Sequence, residues 1–473
     1  MNSRPDERSQ PDEESSSQGP SPLSEELGAA DVPEKELAEG AAAPMVGSFV
    51  ATGIIQLVQA VVGVLLARIL GPEDRGELAA VILWPTLMAT IGSVGLAQAA
   101  TYHAAQARRL GTLVGGTLMI AAVASLALVG IGWAILPLVL GNHESSIVHD
   151  GQLFLTAYIP FLLLSMSMMA ILNGSHRFAW FQALRLLQIG VIVLGVALLA
   201  ILDELTVASG AAVYVAAYAA SSAVSLAVVL RTVWGHLSFR FGEVRSLLDF
   251  GLKSQLSTSM WTLNERADQL VISAFFSAAS LGLYVVAVTL TSLTTLVGFS
   301  FGLVALPMIA RLKTLPERQR LARLIVTSTL IVATAVSVPI FIAEPALIRL
   351  LFGEEFADAA GVGRVLLVAG IVFALNRVLE ALLQAVGRPL ESSAGEGLAL
   401  AVTAGGLAVL LPTLGIMGAG VTSLLAYSAS SAFMVRRAAR ALEVPVLTLL
   451  KPERGMLRKL RSLGGVVPGF GQR

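Results

Sequence analysis

The chain has 473 residues, 55% hydrophobic and 14% charged, with a formal net charge of +0. Soluble domains carry about 25% charged residues, so this deficit excludes a chain that mostly faces water. The absence of cysteine excludes disulfides, thiolate catalysis and cysteine-held metals, and the five histidines are scattered, with no metal-binding tract.

Residues 1–44 are rich in Glu, Asp, Ser and Pro and hold Arg4, Arg8 and Lys35 as their only basic residues. Such a segment buries too little apolar area to offset ordering entropy, and is expected to be a disordered, acidic cytoplasmic tail. It lacks the basic start and early apolar run of a signal peptide, so the first apolar segment is expected to stay as a helix. About 20 apolar residues cross a bilayer. In chain order this predicts spans at 45–67, 77–99, 113–139, 152–172, 180–202, 207–230, 253–275, 282–306, 324–343, 362–385, 394–412 and 416–434. Glu265, Arg266 and Asp268 interrupt the seventh, and Asp203 with Glu204 alone separates the fifth from the sixth.

Lys and Arg alternate between the connections of this scheme. One side holds Arg108, Arg109, Arg177, Arg231, Arg240, Arg245, Lys253, Arg311, Lys313, Arg318, Arg320, Arg323 and Arg388, together with the basic C-terminal tail. The other side holds only Arg68, Arg75, Arg349 and Arg364. Basic loops stay cytoplasmic, so both termini are expected there. The fold class expected is an all-α polytopic membrane protein of about twelve transmembrane helices. Its parts are the acidic tail 1–44, six-helix lobes at 45–235 and 236–440, and a basic cytoplasmic tail 441–473.

The two lobes look like repeats. Gly71-Pro72-Glu73-Asp74-Arg75-Gly76-Glu77-Leu78 is echoed about 206 residues later by Ser277-Ala278-Ala279-Ser280-Leu281-Gly282-Leu283-Tyr284. Leu140-Gly141 returns as Phe352-Gly353, and Leu172-Asn173-Gly174-Ser175-His176-Arg177 as Leu383-Gln384-Ala385-Val386-Gly387-Arg388. An even number of helices per lobe relates them by an axis along the membrane normal, with a central cavity between.

Six charges fall more than two residues inside predicted spans: Arg185, Glu265, Arg266, Asp268, Arg377 and Glu380. At roughly 2.5–3.5 kcal/mol each on insertion scales, all six facing lipid would cost about 15–20 kcal/mol, so they must face the bundle interior or water. Ser257, Trp261, Glu265 and Asp268 share one helix face; Arg377, Glu380 and Gln384 share another. Gln182, Arg185 and Gln188 line a third, and Thr52, Gln56 and Gln59 an uncharged fourth. The candidate cavity residues are Arg185, Arg266, Arg377, Gln56, Gln59, Trp261 and Asn264. Glu265, Asp268 and Glu380 are candidates for binding a coupling proton or sodium ion. The competing reading is that these groups pair structurally, Arg377 with Glu380 above all, and that Arg185 snorkels to the interface. His143-Glu144 with His149 lacks zinc-protease spacing, and Gly251-Leu252-Lys253-Ser254 is no phosphate loop. The sequence therefore offers no catalytic set, metal, cofactor or nucleic-acid site.

Leu65-Leu66-Ala67-Arg68-Ile69-Leu70-Gly71-Pro72-Glu73-Asp74-Arg75-Gly76 resembles the first-loop signature of the polysaccharide flippases of the multidrug/oligosaccharidyl-lipid/polysaccharide exporter superfamily. Asp268-Gln269-Leu270-Val271-Ile272 through Leu281-Gly282-Leu283-Tyr284 resembles the signature opening their second half; Leu306-Pro307 and Leu351-Phe352-Gly353 also fit. The resemblance spans roughly residues 45 to 440. It implies a two-lobed bundle, alternating between inward- and outward-open states in a bacterial plasma membrane. It implies a non-enzymatic, monomeric transporter of undecaprenyl-diphosphate-linked oligosaccharide that can meet polysaccharide assembly enzymes. Arg75 replaces the family's usual aromatic, and the first helix carries glutamines where the family often has a charge. The competing functions are a cation-coupled multidrug exporter, a lipid II flippase (commonly built on fourteen helices) and, more distantly, a membrane polysaccharide polymerase or ligase.

Overall fold

The computed structural model describes residues 34–106, 110–139, 145–312 and 314–451. The expectations for residues 1–33, for Leu140-Gly141 and for the tail beyond 451 lie outside them. Contacts divide the chain into two compact units, residues 1–48 and 49–473, and the architecture below is that of the second.

Among the described residues thirteen α-helices follow in order: α1 (Glu34–Gly92), α2 (Leu96–Gln106), α3 (Leu110–Val139), α4 (Ser145–Gly174), α5 (Phe178–Ile201), α6 (Val207–Thr232) and α7 (Phe241–Phe275) in the first stretch, then α8 (Ala278–Ala310), α9 (Leu315–Leu351), α10 (Ala359–Ala385), α11 (Pro389–Leu414), α12 (Ile416–Ala441) and the short α13 (Val446–Leu450). Among the described residues there is no strand. The protein is an all-α, polytopic membrane protein. Residues 34–44, expected in the tail, carry helical backbone at the start of α1.

Among the described residues, ten helical stretches are long and apolar enough to cross a bilayer, the first of them Thr52–Gly92. Its 41 residues would extend about 60 Å at 1.5 Å per residue, twice a hydrocarbon core of about 30 Å. Gly71 divides it: φ 72° and ψ 178° lie outside helical geometry. Such a φ suits glycine, and Pro72 then restarts the helix with its preset φ. Counting α1 as two passes and the charge-interrupted α7 as one gives the twelve that the sequence implies. The second predicted span, 77–99, is not continuous. Val94 and Gly95 take positive φ of 55° and 67°, and α2 starts afresh at Leu96. The break lets two backbones touch, since a Cβ on Gly95 would lie 2.1 Å from the Gly251 carbonyl oxygen.

The repeat is written into the backbone. A Cβ on Gly76 would lie 1.8 Å from the carbonyl oxygen of Ala278, and one on Gly282 would lie 2.0 Å from that of Pro72. Adding 206 to 76 and 72 gives 282 and 278, so these are one contact made twice, reciprocally, as a two-fold axis requires. The other repeated motif forms the same helix end twice. Arg177 donates its N–H to the Leu172 carbonyl (2.9 Å) and Arg388 to that of Leu383 (2.8 Å). The residue before each is left-handed, His176 at 57° and Gly387 at 79°, as a Schellman cap demands.

Helices α2 to α6 pack on one another, as do α8 to α12, and α7 touches members of both sets. The expected lobe junction at 235–236 falls between α6 and α7. The Arg-rich connections gather at one end of the bundle, called here the basic end. At the opposite end Ala67 of α1 packs with Val286, Leu290, Ile348, Phe352, Phe356 and Ala359 in one buried cluster.

Candidate functional site

α1 presents Gln56 and Gln59 on one face, and α7 presents Arg266 and Gln269 one turn apart. These four, with Arg75 and Tyr214, line a cavity of about 300 Å³ between the two helix sets. Two smaller cavities adjoin it. One, of about 170 Å³, is lined by Gln56, Glu265, Arg266, Asp268, Ser423 and Tyr427, among others. The other, of about 220 Å³, has Arg75, Thr86, Thr90, Tyr214, Arg266 and Gln269 in its wall. Arg266 and Gln269 belong to all three, so α7 stands where they meet.

The charges divide into satisfied and unsatisfied groups. Asp268 is buried. It accepts hydrogen bonds from the Tyr284 hydroxyl, from the Gln269 N–H at 2.7 Å and from the Ser423 hydroxyl at 3.4 Å. Arg377 pairs with Glu380 at 2.8 Å and with Glu396, and its guanidinium lies over the Phe373 ring at 5.3 Å. Asn264 donates to Glu396 at 2.9 Å and accepts from Thr403 at 3.4 Å, and Gln384 donates to Glu380 at 3.3 Å. Arg185 donates to Thr52 at 3.1 Å and to Gln182 at 3.2 Å, and lies over Phe181.

The two cavity arginines differ from these. Arg266 donates one bond of 3.4 Å to Gln269, and the buried Nε of Arg75 has no partner. Among the described ion pairs neither arginine has a carboxylate. One positive charge from each half of the repeat thus faces a cavity otherwise lined by amides, hydroxyls and aliphatic groups. Such a wall can hold an anion through charge-assisted hydrogen bonds and offer amides to hydroxyl-rich ligands.

Of the sequence-predicted residues, Gln56, Gln59, Arg266, Glu265 and Asp268 line these cavities. Arg185, Trp261, Asn264, Arg377 and Glu380 do not line the cavities described here, and the side chain of Ser257 lies outside the described set. Sequence reasoning missed Arg75, Tyr214, Gln269 and Glu396. Arg75 is expected in a loop, but the helix restarts at Pro72, which already puts position 75 one turn inside the bundle. Glu396 lies only two residues inside the start of the predicted eleventh span, too near its end to stand out among the intramembrane charges.

Residues 46–313, more than half of the chain, match the family model described as "Polysaccharide biosynthesis protein". The chain belongs to that family. No curated protein sequence matches it. Among solved structures, this family member is similar to "Lipid II flippase MurJ, inward closed conformation" at TM-score 0.70 and 13% identity, over 90% of this chain and 93% of that one. It is also similar to an inward-facing "multidrug resistance MATE family transporter of the MOP superfamily" at TM-score 0.63 and 15% identity, over 82% and 96%. An outward-facing structure described in the same words gives TM-score 0.56 at 15% identity, over 85% and 94%. At such identities the likeness is one of fold. This polysaccharide biosynthesis protein shares the multi-helix fold of those structures.

Proposed function

We propose that this family member flips a polyprenyl-diphosphate-linked oligosaccharide from the cytoplasmic to the outer leaflet of a bacterial plasma membrane, by alternating access, for surface polysaccharide assembly. The observation that carries this reading is the pair Arg75 and Arg266, one from each half, unpaired by any described carboxylate and lining one cavity. A diphosphate offers two anionic groups, and guanidinium grips each bidentately. Gln56, Gln59 and Gln269 supply amides for sugar hydroxyls. An exporter of organic cations would be served poorly by two guanidinium groups that no described carboxylate neutralises. The acidic pair Glu265 and Asp268 in the adjoining cavity suits a coupling cation, with Glu380 further along. The basic end faces the cytoplasm, both termini lie there, and one monomer suffices because both halves of the cavity come from one chain.

The test is reconstitution into liposomes with a fluorescent undecaprenyl-diphosphate oligosaccharide, following its accessibility to an outside quencher with and without a proton or sodium gradient. Flipping by the wild type that is strongly slowed in both Arg75→Ala and Arg266→Ala is the expected result. Gradient-driven efflux of organic cations without lipid flipping would make the protein a multidrug exporter instead.

A further inference from the structure

Outside the cavity linings, near the non-basic end of α9, stands Glu344. Its side chain has 0% exposure, and neither carboxyl oxygen has a hydrogen-bond partner. It is pressed between three helices. A Cβ on Gly363 of α10 would lie 1.8 Å from its Oε1 and 3.6 Å from the Ala287 side chain of α8. Only glycine leaves room for the carboxyl there.

The charged groups around it are few. Arg364 of α10 holds its Nε 4.0 Å from Glu344 Oε2, at the limit of an ion pair. That Nε donates to nothing, and the guanidinium lies instead over the Phe341 ring at 5.6 Å. Tyr284, the one titratable residue of α8, gives its hydroxyl to Asp268. Arg349, further along α9, pairs with Glu354 at 3.2 Å. An ionised carboxylate enclosed without one hydrogen bond is among the costliest groups a protein can bury, whereas the neutral acid carries no such charge. Pro345 adds an acceptor. Lacking an N–H, it leaves the Phe341 carbonyl, four residues earlier, without its helical donor.

Ile348, one turn further along α9, belongs to the buried cluster that joins Ala67 of α1 to α8 and α10. Separating α1 from α8 and α9 at the non-basic end removes Ala67 from this cluster and opens the α9 face at Ile348, one turn from Glu344.

We propose that Glu344 is a proton-binding site: its carboxyl carries a proton while α8, α9 and α10 are packed as here, and releases it as H⁺ to the solvent of the non-basic side when that end opens. The carboxylate so formed pairs with Arg364, which is already 43% exposed. This deepens the transport reading by naming a gate-linked proton site, and it stands or falls without any lipid substrate.

The absence of cysteine makes the test direct. Spin labels at Glu73→Cys and Asp358→Cys report the separation across the non-basic end, in the wild-type background and in Glu344→Gln, the neutral isostere of the protonated acid. The expected result is a wild-type distance distribution that shifts to longer separations as pH rises, with Glu344→Gln held in the short one. Infrared difference spectra across the same pH range should show a protonated-carboxyl band that Glu344→Gln lacks. A variant that follows the wild-type pH response, or no such band, overturns the proposal. So does a Glu344→Gln protein that fails to fold, because the neutral isostere must be tolerated if the neutral form is resident. Gly363→Ala, whose methyl takes the carboxyl's place, should lose the band independently.

Discussion

Arg75 has no counter-ion among the described residues, and its buried Nε has no hydrogen bond. A group left in that state is a cost to the fold, so its removal should not harm stability. Arg75→Ala is expected to fold and insert normally, with unchanged or raised thermal midpoint, while flipping falls about 10- to 100-fold. That range corresponds to losing one charge-assisted interaction of about 1.5–3 kcal/mol. Arg377 predicts the reverse. Its side chain is 10% exposed and serves two carboxylates, those of Glu380 and Glu396, exposed by 24% and 13%. Arg377→Ala strands both and should cost about 3–5 kcal/mol, read as a clear drop in thermal midpoint and membrane level. Adding Glu380→Gln and Glu396→Gln should restore most of it; a thermal midpoint unmoved by Arg377→Ala would mean the cluster bears no structural load. The contrast explains what the sequence conveys about the site. That charges sit inside spans is legible from spacing. Which of them are free is not, because Glu396, the partner that satisfies Arg377, lies nineteen positions away on another helix. Arg75 is hidden for a different reason: a restart at Pro72 turns an apparent loop residue into a helix residue.

At the scale of helices, hydropathy and charge alternation convey the passes well, because every backbone group in lipid must be satisfied within its own helix. They do not convey the break at Val94 and Gly95, since nothing in the apolar run 77–99 announces that two backbones must touch there. The Gly76–Ala278 and Gly282–Pro72 contacts are the clearest case of a paired feature that faint internal similarity foreshadows. They close the non-basic end by direct backbone approach, so a methyl group on either glycine would meet a carbonyl oxygen at 2.0 Å or less. Gly76→Ala and Gly282→Ala should each insert and fold, since a helix gains from alanine, yet shift the protein toward states open at that end. The measurement is thiol accessibility of a cysteine placed at the otherwise enclosed Leu290. Labelling that rises in both variants is expected; labelling as slow as in the parent would show that the glycine contact does not hold the end shut.

For the whole molecule, the distribution of arginine makes one prediction that no single helix can make. The basic end collects Arg231, Arg240, Arg311, Arg320 and Arg437, and the opposite end holds short connections with little positive charge. If the positive-inside bias set the insertion, every connection at the basic end faces the cytoplasm and every other connection faces out. The even number of passes per half then keeps both halves in the same orientation, which the reciprocal glycine contact requires. A chain without cysteine allows this to be read one position at a time. Cysteines placed at Arg240, Arg320 and Glu391 should react with a membrane-impermeant maleimide only after the cells are opened. Cysteines at Glu73, Asp203 and Glu354 should react in intact cells. Each position is exposed in the structure except Glu391, which is partly covered and should label more slowly. Reversal of all six would invert the insertion while leaving the fold untouched. Reversal of the last three positions in chain order alone (Arg320, Glu354 and Glu391) would remove a pass between the halves, and α7, with its buried Asp268 and its cavity-facing Arg266, would be the helix to lose.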